Sequence, residues 1–244
     1  MEKQAYFDMA NAEEIHWWFS VRRQILEDRI RFMNLNAKSK ILEIGCGTGG
    51  NLKMLSAFGS VDGIEPAAEG ASIARQKAEN HARVTEGMFP NDLPEDSGPF
   101  DLICLFDVLE HIDTDLEFLK SAHSVAGQGG KILISVPACQ SMWSRHDEFL
   151  HHKRRYSKKT LAALVEAAGF TIDRITHFNA ILFPLAYAAR CYDRARNAKV
   201  AAGTGVPVPP VNAAMKALFR AERPFLNRYN LPFGLSLLCV ATSP

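Results

Sequence analysis

The sequence contains few of the features that would assign it to a secreted, metal-bound or disulfide-stabilised class. It has 244 residues and five scattered cysteines, with no Cys-x-x-Cys pair. This arrangement indicates neither a disulfide framework nor a cysteine-based zinc site. We therefore expect a chain of the reducing cytoplasm. His151, His152 and Asp147 suggest a metal site, but no second carboxylate lies at a persuasive spacing, so we expect no bound metal. The cysteines are Cys46, Cys104, Cys139, Cys191 and Cys239.

Long apolar runs and a strong net charge are also absent. The longest apolar stretches, near Phe178–Ala189 and Leu231–Val240, are well short of the roughly 20 residues that cross a bilayer. The first residues, Met1–Phe7, lack the apolar core of a signal peptide. The net charge is only +1, which gives no electrostatic case for wrapping nucleic acid. We expect a soluble cytoplasmic protein that binds no nucleic acid.

What the sequence does contain is a regular alternation of strand-like and helical segments. Such alternation predicts a parallel sheet with helices on both faces. The predicted strands are Lys40–Gly45, Val61–Glu65, Ala82–Glu86, Phe100–Phe106, Lys131–Val136, Thr171–His177 and Leu235–Ala241. The helices predicted between them are Asn51–Phe58, ending at a left-handed Gly59, then Ala68–Asn80, Asp113–Val125 and a helix from Ser157 to Ala168, stopped by Gly169.

Two regions lie outside this alternation. The first 35 residues have apolar positions at helical spacing. A long insertion separates the last two strands, and insertions of this length in compact folds usually carry function or cover a site. The insertion is predicted to contain a helix at Ala180–Ala198, a Gly/Pro-rich link at Gly203–Pro210 and a helix at Asn212–Asn227.

The most informative motif follows the first predicted strand. Gly45, Gly47 and Gly49 form a turn without side chains, against which an adenosine-bearing ligand can lie closely. Glu65, about 20 residues on, is placed to accept hydrogen bonds from ribose hydroxyls. The literal Gly-x-Gly-x-x-Gly pattern also fits an NAD(P)-dependent oxidoreductase. However, Glu43 precedes the first glycine, no hydride-transfer constellation follows, and the glycine spacing gives less reason to expect a close helix contact at the third glycine.

Further motifs narrow the choice. Glu43–Gly49, Glu65, Phe100–Ile112 and Gly129–Pro137 together resemble class I S-adenosylmethionine-dependent methyltransferases, and most closely the type 11/12 small-molecule branch. The resemblance covers roughly residues 38–138. It implies an α/β, Rossmann-like, doubly wound sheet of seven strands with the last strand antiparallel. It also implies a single domain, 1–244, with an N-terminal helical cap (1–36), a cofactor-binding core (37–178), a helical lid insertion (179–230) and a final strand (231–244).

The same resemblance implies a set of residues that bind S-adenosylmethionine. Glu43 is expected near the cofactor's amino group, Glu65 at the ribose, and Met88 beside the adenine. Many relatives have Asp where Met88 stands, so sulfur-to-ring packing is the expected substitute. The full set is Glu43, Gly45, Cys46, Gly47, Gly49, Glu65, Pro66, Met88, Phe89, Phe106, Asp107, Val108 and His111.

Candidate catalytic and acceptor-binding residues come from histidine-, arginine- and aromatic-rich segments. A neutral histidine suits proton removal near pH 7, and arginine grips phosphate or carboxylate through two hydrogen bonds. A structural histidine, a solvated basic loop and simple aromatic packing are the alternatives. The catalytic candidates are His111, His146 and His151. The acceptor-binding candidates are Trp17, Trp18, Trp143, Arg145, His152, Arg154, Arg155 and Tyr156.

The predicted function is methyl transfer from S-adenosylmethionine to O, N or C of a small molecule, either anionic or linked to a lipid or glycan. An apolar lid with Leu182, Phe183 and Leu185 predicts peripheral membrane contact, with packing against the sheet as the alternative. Two other functions stay open. One is a cofactor-binding protein of the same fold without methyl transfer, and the other is the NAD(P) oxidoreductase.

Overall fold

A seven-stranded sheet organises the chain in the computed structural model, which describes residues 10–195 and 205–244. The strands are β1 (Lys40–Ile44), β2 (Ser60–Glu65), β3 (Arg83–Glu86), β4 (Phe100–Phe106), β5 (Ala126–Pro137), β6 (Thr171–Phe178) and β7 (Ser236–Thr242). Their order is β3-β2-β1-β4-β5-β7-β6, and β7 runs antiparallel to both of its neighbours. The predicted fold class is therefore confirmed.

Helices cover the two faces of this sheet, as expected where both faces of each central strand are buried. They are α1 (Trp17–Arg31), α2 (Leu52–Leu55), α3 (Ala68–Ala78), α4 (Asp115–Val125), α5 (Arg145–Phe149), α6 (Lys158–Ala167), α7 (Phe183–Ala195), α8 (Pro209–Arg220) and α9 (Arg223–Arg228), with 3₁₀ turns at Leu109–His111 and Gln140–Met142. None of the described helices combines the length and apolar character needed to cross a bilayer.

Several predicted helix boundaries need correction. The helix predicted over 51–58 is the single turn α2, and Gly59 has no left-handed conformation, whereas Gly169 does, with φ +103°. The helix predicted over 212–227 is two helices, because Pro224 at the start of α9 begins a new first turn. Of the helix predicted over 180–198, residues 196–198 lie outside the described ranges, as does the start of the 203–210 link.

The cap helix α1 packs against the helical insertion. Trp18 stacks on Phe178, with ring centroids 5.8 Å apart, and on Phe219, at 5.3 Å. The side chain of Asn212 accepts from the backbone N–H of Trp17 at 2.9 Å, which satisfies one of the free donors at the start of α1. Farther along, Arg223 makes two hydrogen bonds of 2.9 and 2.8 Å to Asp28. Cap and insertion are thus fastened together beside the core.

Candidate functional site

The glycine turn follows β1 and is fixed by close packing. Gly45 has φ +70°, and a Cβ added there would lie 2.8 Å from Cγ2 of Val108. Gly49 has φ +79°, and a Cβ there would lie 3.0 Å from Cα of Ala74 in α3. Only glycine adopts such conformations without cost. The close helix contact at Gly49, which the glycine spacing gave little reason to expect, is therefore present, and the helix is α3.

Glu65 ends β2 with its carboxylate turned towards the glycine turn. Its Oε2 accepts from the backbone N–H of Gly47 at 2.9 Å, and its Oε1 from that of Ala67 at 3.1 Å. The side chain is buried, and burial raises its pKa. Each oxygen retains a second acceptor position. The geometry therefore suits a pair of sugar hydroxyls, and the contact of Glu65 with the ribose stays a prediction. The neighbouring Pro66 is exposed.

Glu43 lies on β1 in a fully buried position. Asn51 donates to its Oε1 at 2.7 Å, whereas Oε2 has no hydrogen-bond partner among the described residues. Burial raises the pKa of Glu43 to about 8. An unpaired buried carboxyl oxygen at the carboxyl end of a strand is where a ligand donor, such as an amino group, would be satisfied. The residues therefore fit the predicted nucleoside-and-amino-acid cofactor.

Cys46 belongs to the glycine turn, and its predicted contact with the cofactor stays a prediction. Its side chain is buried in the core rather than directed at a ligand, since its Sγ would lie 3.0 Å from a Cβ placed on Gly63 of β2. Burial raises the pKa of the thiol far above its usual range, so no thiolate forms at neutral pH. The residue contributes its backbone to the turn, with its N–H donating to the carbonyl of Ile64 at 3.2 Å.

The predicted adenine side of the site lies after β3. Met88 is exposed, and its backbone N–H donates to the carboxylate of Asp92 at 2.7 Å. Phe89 is buried, with its ring edge-to-face with Phe118 at 5.4 Å. Asp92 was missed in the sequence because it stands four residues beyond the expected acidic position. Its contact with Met88 brings a carboxylate back to that side of the site.

Two charged side chains of the N-terminal cap, Glu13 and Arg22, contact the glycine turn and the residue after β4. The buried Glu13 accepts from Oγ1 of Thr48 at 2.6 Å and from Nζ of Lys77 at 3.0 Å. Arg22 forms an ion pair with Asp107, which follows β4 in a left-handed conformation. Glu13 and Arg22 were not predicted as site residues, because their partners are distant in sequence. The predicted neighbours Phe106 and Val108 lie beside this pair, and Phe106 is buried.

The candidate histidines occupy three different settings. His111 lies at the end of the 3₁₀ turn after β4, with its ring edge-to-face with that of His152 at 4.9 Å. His111 is exposed as a whole residue, but desolvation of its ring and the neighbouring His152 lower the pKa of His111 to about 4. His146, in α5, has a buried Nδ1 with no partner among the described residues, and burial lowers its pKa to about 4. His151 is exposed. The structure therefore brings together His111 and His152.

The basic segment after α5 is internally neutralised. Arg155 donates to both carboxylate oxygens of the fully buried Asp147, at 2.7 and 3.1 Å. Despite burial, hydrogen bonds from His152 and Arg155 hold the pKa of Asp147 below its usual range. Arg154 donates to Asp115 at 2.7 Å. These arginines therefore act as internal partners, which argues against their predicted role in gripping an anionic acceptor.

Tyr156 has a comparable structural role. Its hydroxyl donates to the carboxylate of Asp115 at 2.9 Å, and burial raises its pKa well above its usual range. A backbone bridge joins it to Ala138 after β5. Trp17 and Trp18 pack between cap and insertion, in agreement with the packing alternative. Their acceptor-binding role stays a prediction, as do the roles of Trp143 and the exposed Arg145.

The strand order, the glycine turn and the two buried carboxylates define an α/β protein that binds a nucleoside cofactor. Residues 17–175 match the family model described as a methyltransferase domain. The chain belongs to this family, the class I S-adenosylmethionine-dependent methyltransferases, and S-adenosylmethionine is its cofactor. The predicted family and cofactor are thereby confirmed.

Individual relatives show how far the similarity extends. The chain is 32% identical over 105 residues to a ubiquinone biosynthesis O-methyltransferase of Glaesserella parasuis, covering 40% of this chain and 44% of that protein. A phosphoethanolamine N-methyltransferase 2 of Haemonchus contortus, solved with S-adenosyl-L-methionine, is 14% identical with a TM-score of 0.60, covering 91% and 52%. A geranyl diphosphate C-methyltransferase of Streptomyces coelicolor is 15% identical with a TM-score of 0.58, covering 88% and 78%. At these identities the two structures demonstrate the shared fold.

Proposed function

We propose that the chain transfers a methyl group from S-adenosylmethionine to a small-molecule acceptor, with oxygen as the first choice over nitrogen or carbon. The observation that best supports this proposal is the pair of buried carboxylates, Glu43 and Glu65, on either side of a side-chain-free turn. Glu65 is held by two backbone N–H groups beside the glycine turn, while one carboxyl oxygen of Glu43 has no partner among the described residues and is free to accept from a ligand donor. Oxygen comes first because curated relatives are named as O-methyltransferases.

The bound cofactor supplies a methyl group that is already electrophilic, so the protein's task is to hold the acceptor atom in line with it. Groups at the carboxyl end of β4 are placed for this task, because ligands of such folds collect at that edge. His111 is neutral at pH 7, with its pKa lowered to about 4. A base of that pKa removes a proton weakly. We therefore assign His111 to orienting the acceptor through a nitrogen lone pair.

The insertion supports an amphipathic acceptor. Ile181, Leu185 and Tyr187, in and just before α7, are exposed, and neighbouring exposed apolar side chains mark surfaces that contact membranes or ligands. We propose that this lid surface rests on a bilayer that holds the acceptor. We also propose that the reaction takes place in the cytoplasm, because all five cysteines are free thiols.

Two experiments, carried out one after the other, test this function. Calorimetry with S-adenosylhomocysteine and with NADH should detect binding of the first alone. The protein is then incubated with methyl-labelled S-adenosylmethionine and separate pools of phenols, amines and lipid-linked sugars, and labelled product and S-adenosylhomocysteine are counted. Transfer into one pool is the expected result. Binding without transfer to any pool would favour a cofactor-binding protein, and preference for NADH would favour the oxidoreductase.

A further inference from the structure

Three side chains capable of binding a metal meet beside the carboxyl end of β4. Glu110 and His111 come from the 3₁₀ turn after β4, and His152 comes from the segment after α5. One donor atom from each lies within 4.8 Å of the others. The backbone holds the two segments together, since the N–H of Lys153 donates to the carbonyl of Glu110 at 2.6 Å. The cluster therefore joins elements that are about 40 residues apart in sequence.

Glu110 is the unusual member of the cluster. Its side chain is fully buried, and neither carboxyl oxygen has a hydrogen-bond partner within the described part of the chain. A buried polar group without partners is costly, and a carboxylate more so, unless it is paired or coordinates a metal. A cation bound at this position would satisfy the otherwise unpaired carboxyl group.

His152 is oriented by a carboxylate behind it. Its Nδ1 lies 2.9 Å from Oδ1 of the buried Asp147, which Arg155 also holds in place. A carboxylate acceptor fixes the imidazole proton on Nδ1 and leaves the Nε2 lone pair directed away from it. This carboxylate–histidine arrangement is the usual support for a histidine that binds a metal.

We propose that Glu110, His111 and His152 bind one divalent transition-metal ion, with Zn²⁺ as the ion best suited to two imidazoles and a carboxylate. Such a set of ligands leaves a fourth position open. Adjacent ligand atoms around tetrahedral Zn²⁺ are roughly 3.4 Å apart, given bonds of about 2.1 Å, so the cluster must contract modestly. The sequence, which lacks a second carboxylate at a persuasive spacing, led to the opposite expectation.

The open position gives the site a role in the proposed methyl transfer, and this part of the inference depends on that function. An acceptor hydroxyl bound there would release its proton to water more readily than in solution. Its oxygen would then form the new bond to the methyl carbon as the carbon–sulfur bond breaks, leaving a neutral thioether. In this arrangement the nitrogen lone pair of His111 would bind the metal, so His111 would orient the acceptor through the ion and not by direct contact.

Metal binding is tested on the full chain after treatment with a chelator and dialysis. Zn²⁺ is titrated in competition with a chromophoric chelator, and Co²⁺ is followed by its visible absorption. The wild type should bind one ion per chain. His152→Ala should weaken Zn²⁺ binding by at least roughly 100-fold, and Asp147→Asn by roughly 10- to 100-fold. His151→Asn is the matched control, since Asn tolerates the left-handed conformation at this exposed position, and its Zn²⁺ affinity should equal that of the wild type.

Glu110→Gln guards against misfolding, because it preserves the shape of the side chain while removing the carboxylate that would bind the ion. It should lose Zn²⁺ binding yet melt no lower than the metal-free wild type. S-adenosylhomocysteine binding is measured on the same samples. The metal site is overturned if the wild type does not bind Zn²⁺ stoichiometrically. It is also overturned if Glu110→Gln and His152→Ala both bind Zn²⁺ with the affinity of the wild type. If S-adenosylhomocysteine still binds, the proposed function survives, whereas Zn²⁺ binding without S-adenosylhomocysteine binding defeats the function alone.

Discussion

Replacing Glu65 by alanine is the most direct test of how the cofactor is held. The change removes the acceptor for the N–H groups of Gly47 and Ala67, at 2.9 and 3.1 Å, together with the acceptor for the sugar hydroxyls. Hydrogen bonds to a charged group contribute more than neutral ones, so we expect a loss of about 1–3 kcal/mol in cofactor binding. This corresponds to roughly a 5- to 150-fold higher Kd for S-adenosylhomocysteine.

The assay is calorimetric titration with S-adenosylhomocysteine, with urea unfolding of the cofactor-free protein measured in parallel. The unfolding free energy should also fall, by about 1–3 kcal/mol, because two backbone donors lose their partner. Glu86→Ala is the matched control, since Glu86 pairs with Glu65 in the register of β2 and β3 but is exposed. Unchanged affinity in Glu65→Ala would refute the placement of the ribose at the end of β2.

Three further outcomes are expected. Gly45→Ala should lower the unfolding free energy by about 1–3 kcal/mol in urea titrations, because it forces a left-handed alanine against Val108; wild-type stability would contradict that packing. Without cofactor, the folded pKa of Glu43, about 8, exceeds its unfolded value of about 4.3, so stability should fall as pH rises between these values. Glu43→Gln should show a shallower fall between pH 5 and 9, and identical slopes would speak against a buried ionisable Glu43. Leu185→Asp should reduce co-sedimentation with lipid vesicles, whereas undiminished pelleting would exclude this surface as the membrane contact.

Features set by neighbouring residues were predictable from the sequence. The bounds of β4 were predicted to the residue, because a continuous apolar run identifies a strand buried on both faces. Glu65 was predicted at the end of β2 and next to the glycine turn, since parallel strands end at one sheet edge. In each case the residues that allow the prediction lie within a single strand or within about 25 residues of the glycine turn.

Features set by pairing across the fold were not predictable. The run of histidines and arginines after α5 correctly indicated charge density, but the burial of Asp147 under Arg155 depends on how the chain turns after α5. Likewise, Arg22 meets Asp107 across 85 positions of sequence. The sequence shows which side chains are charged, but it does not show which opposite charge each of them contacts in the fold. Such partners decide whether a basic segment binds a ligand or stabilises the protein.

The contacts of Glu13 tie three parts of the chain together. Its carboxylate accepts from the hydroxyl of Thr48 in the glycine turn and from the ammonium of Lys77 in α3, so it anchors the segment before α1 to the cofactor-binding core. Loss of this carboxylate should release that segment and leave the glycine turn in place, because Gly49 packs on Ala74 of α3 without it.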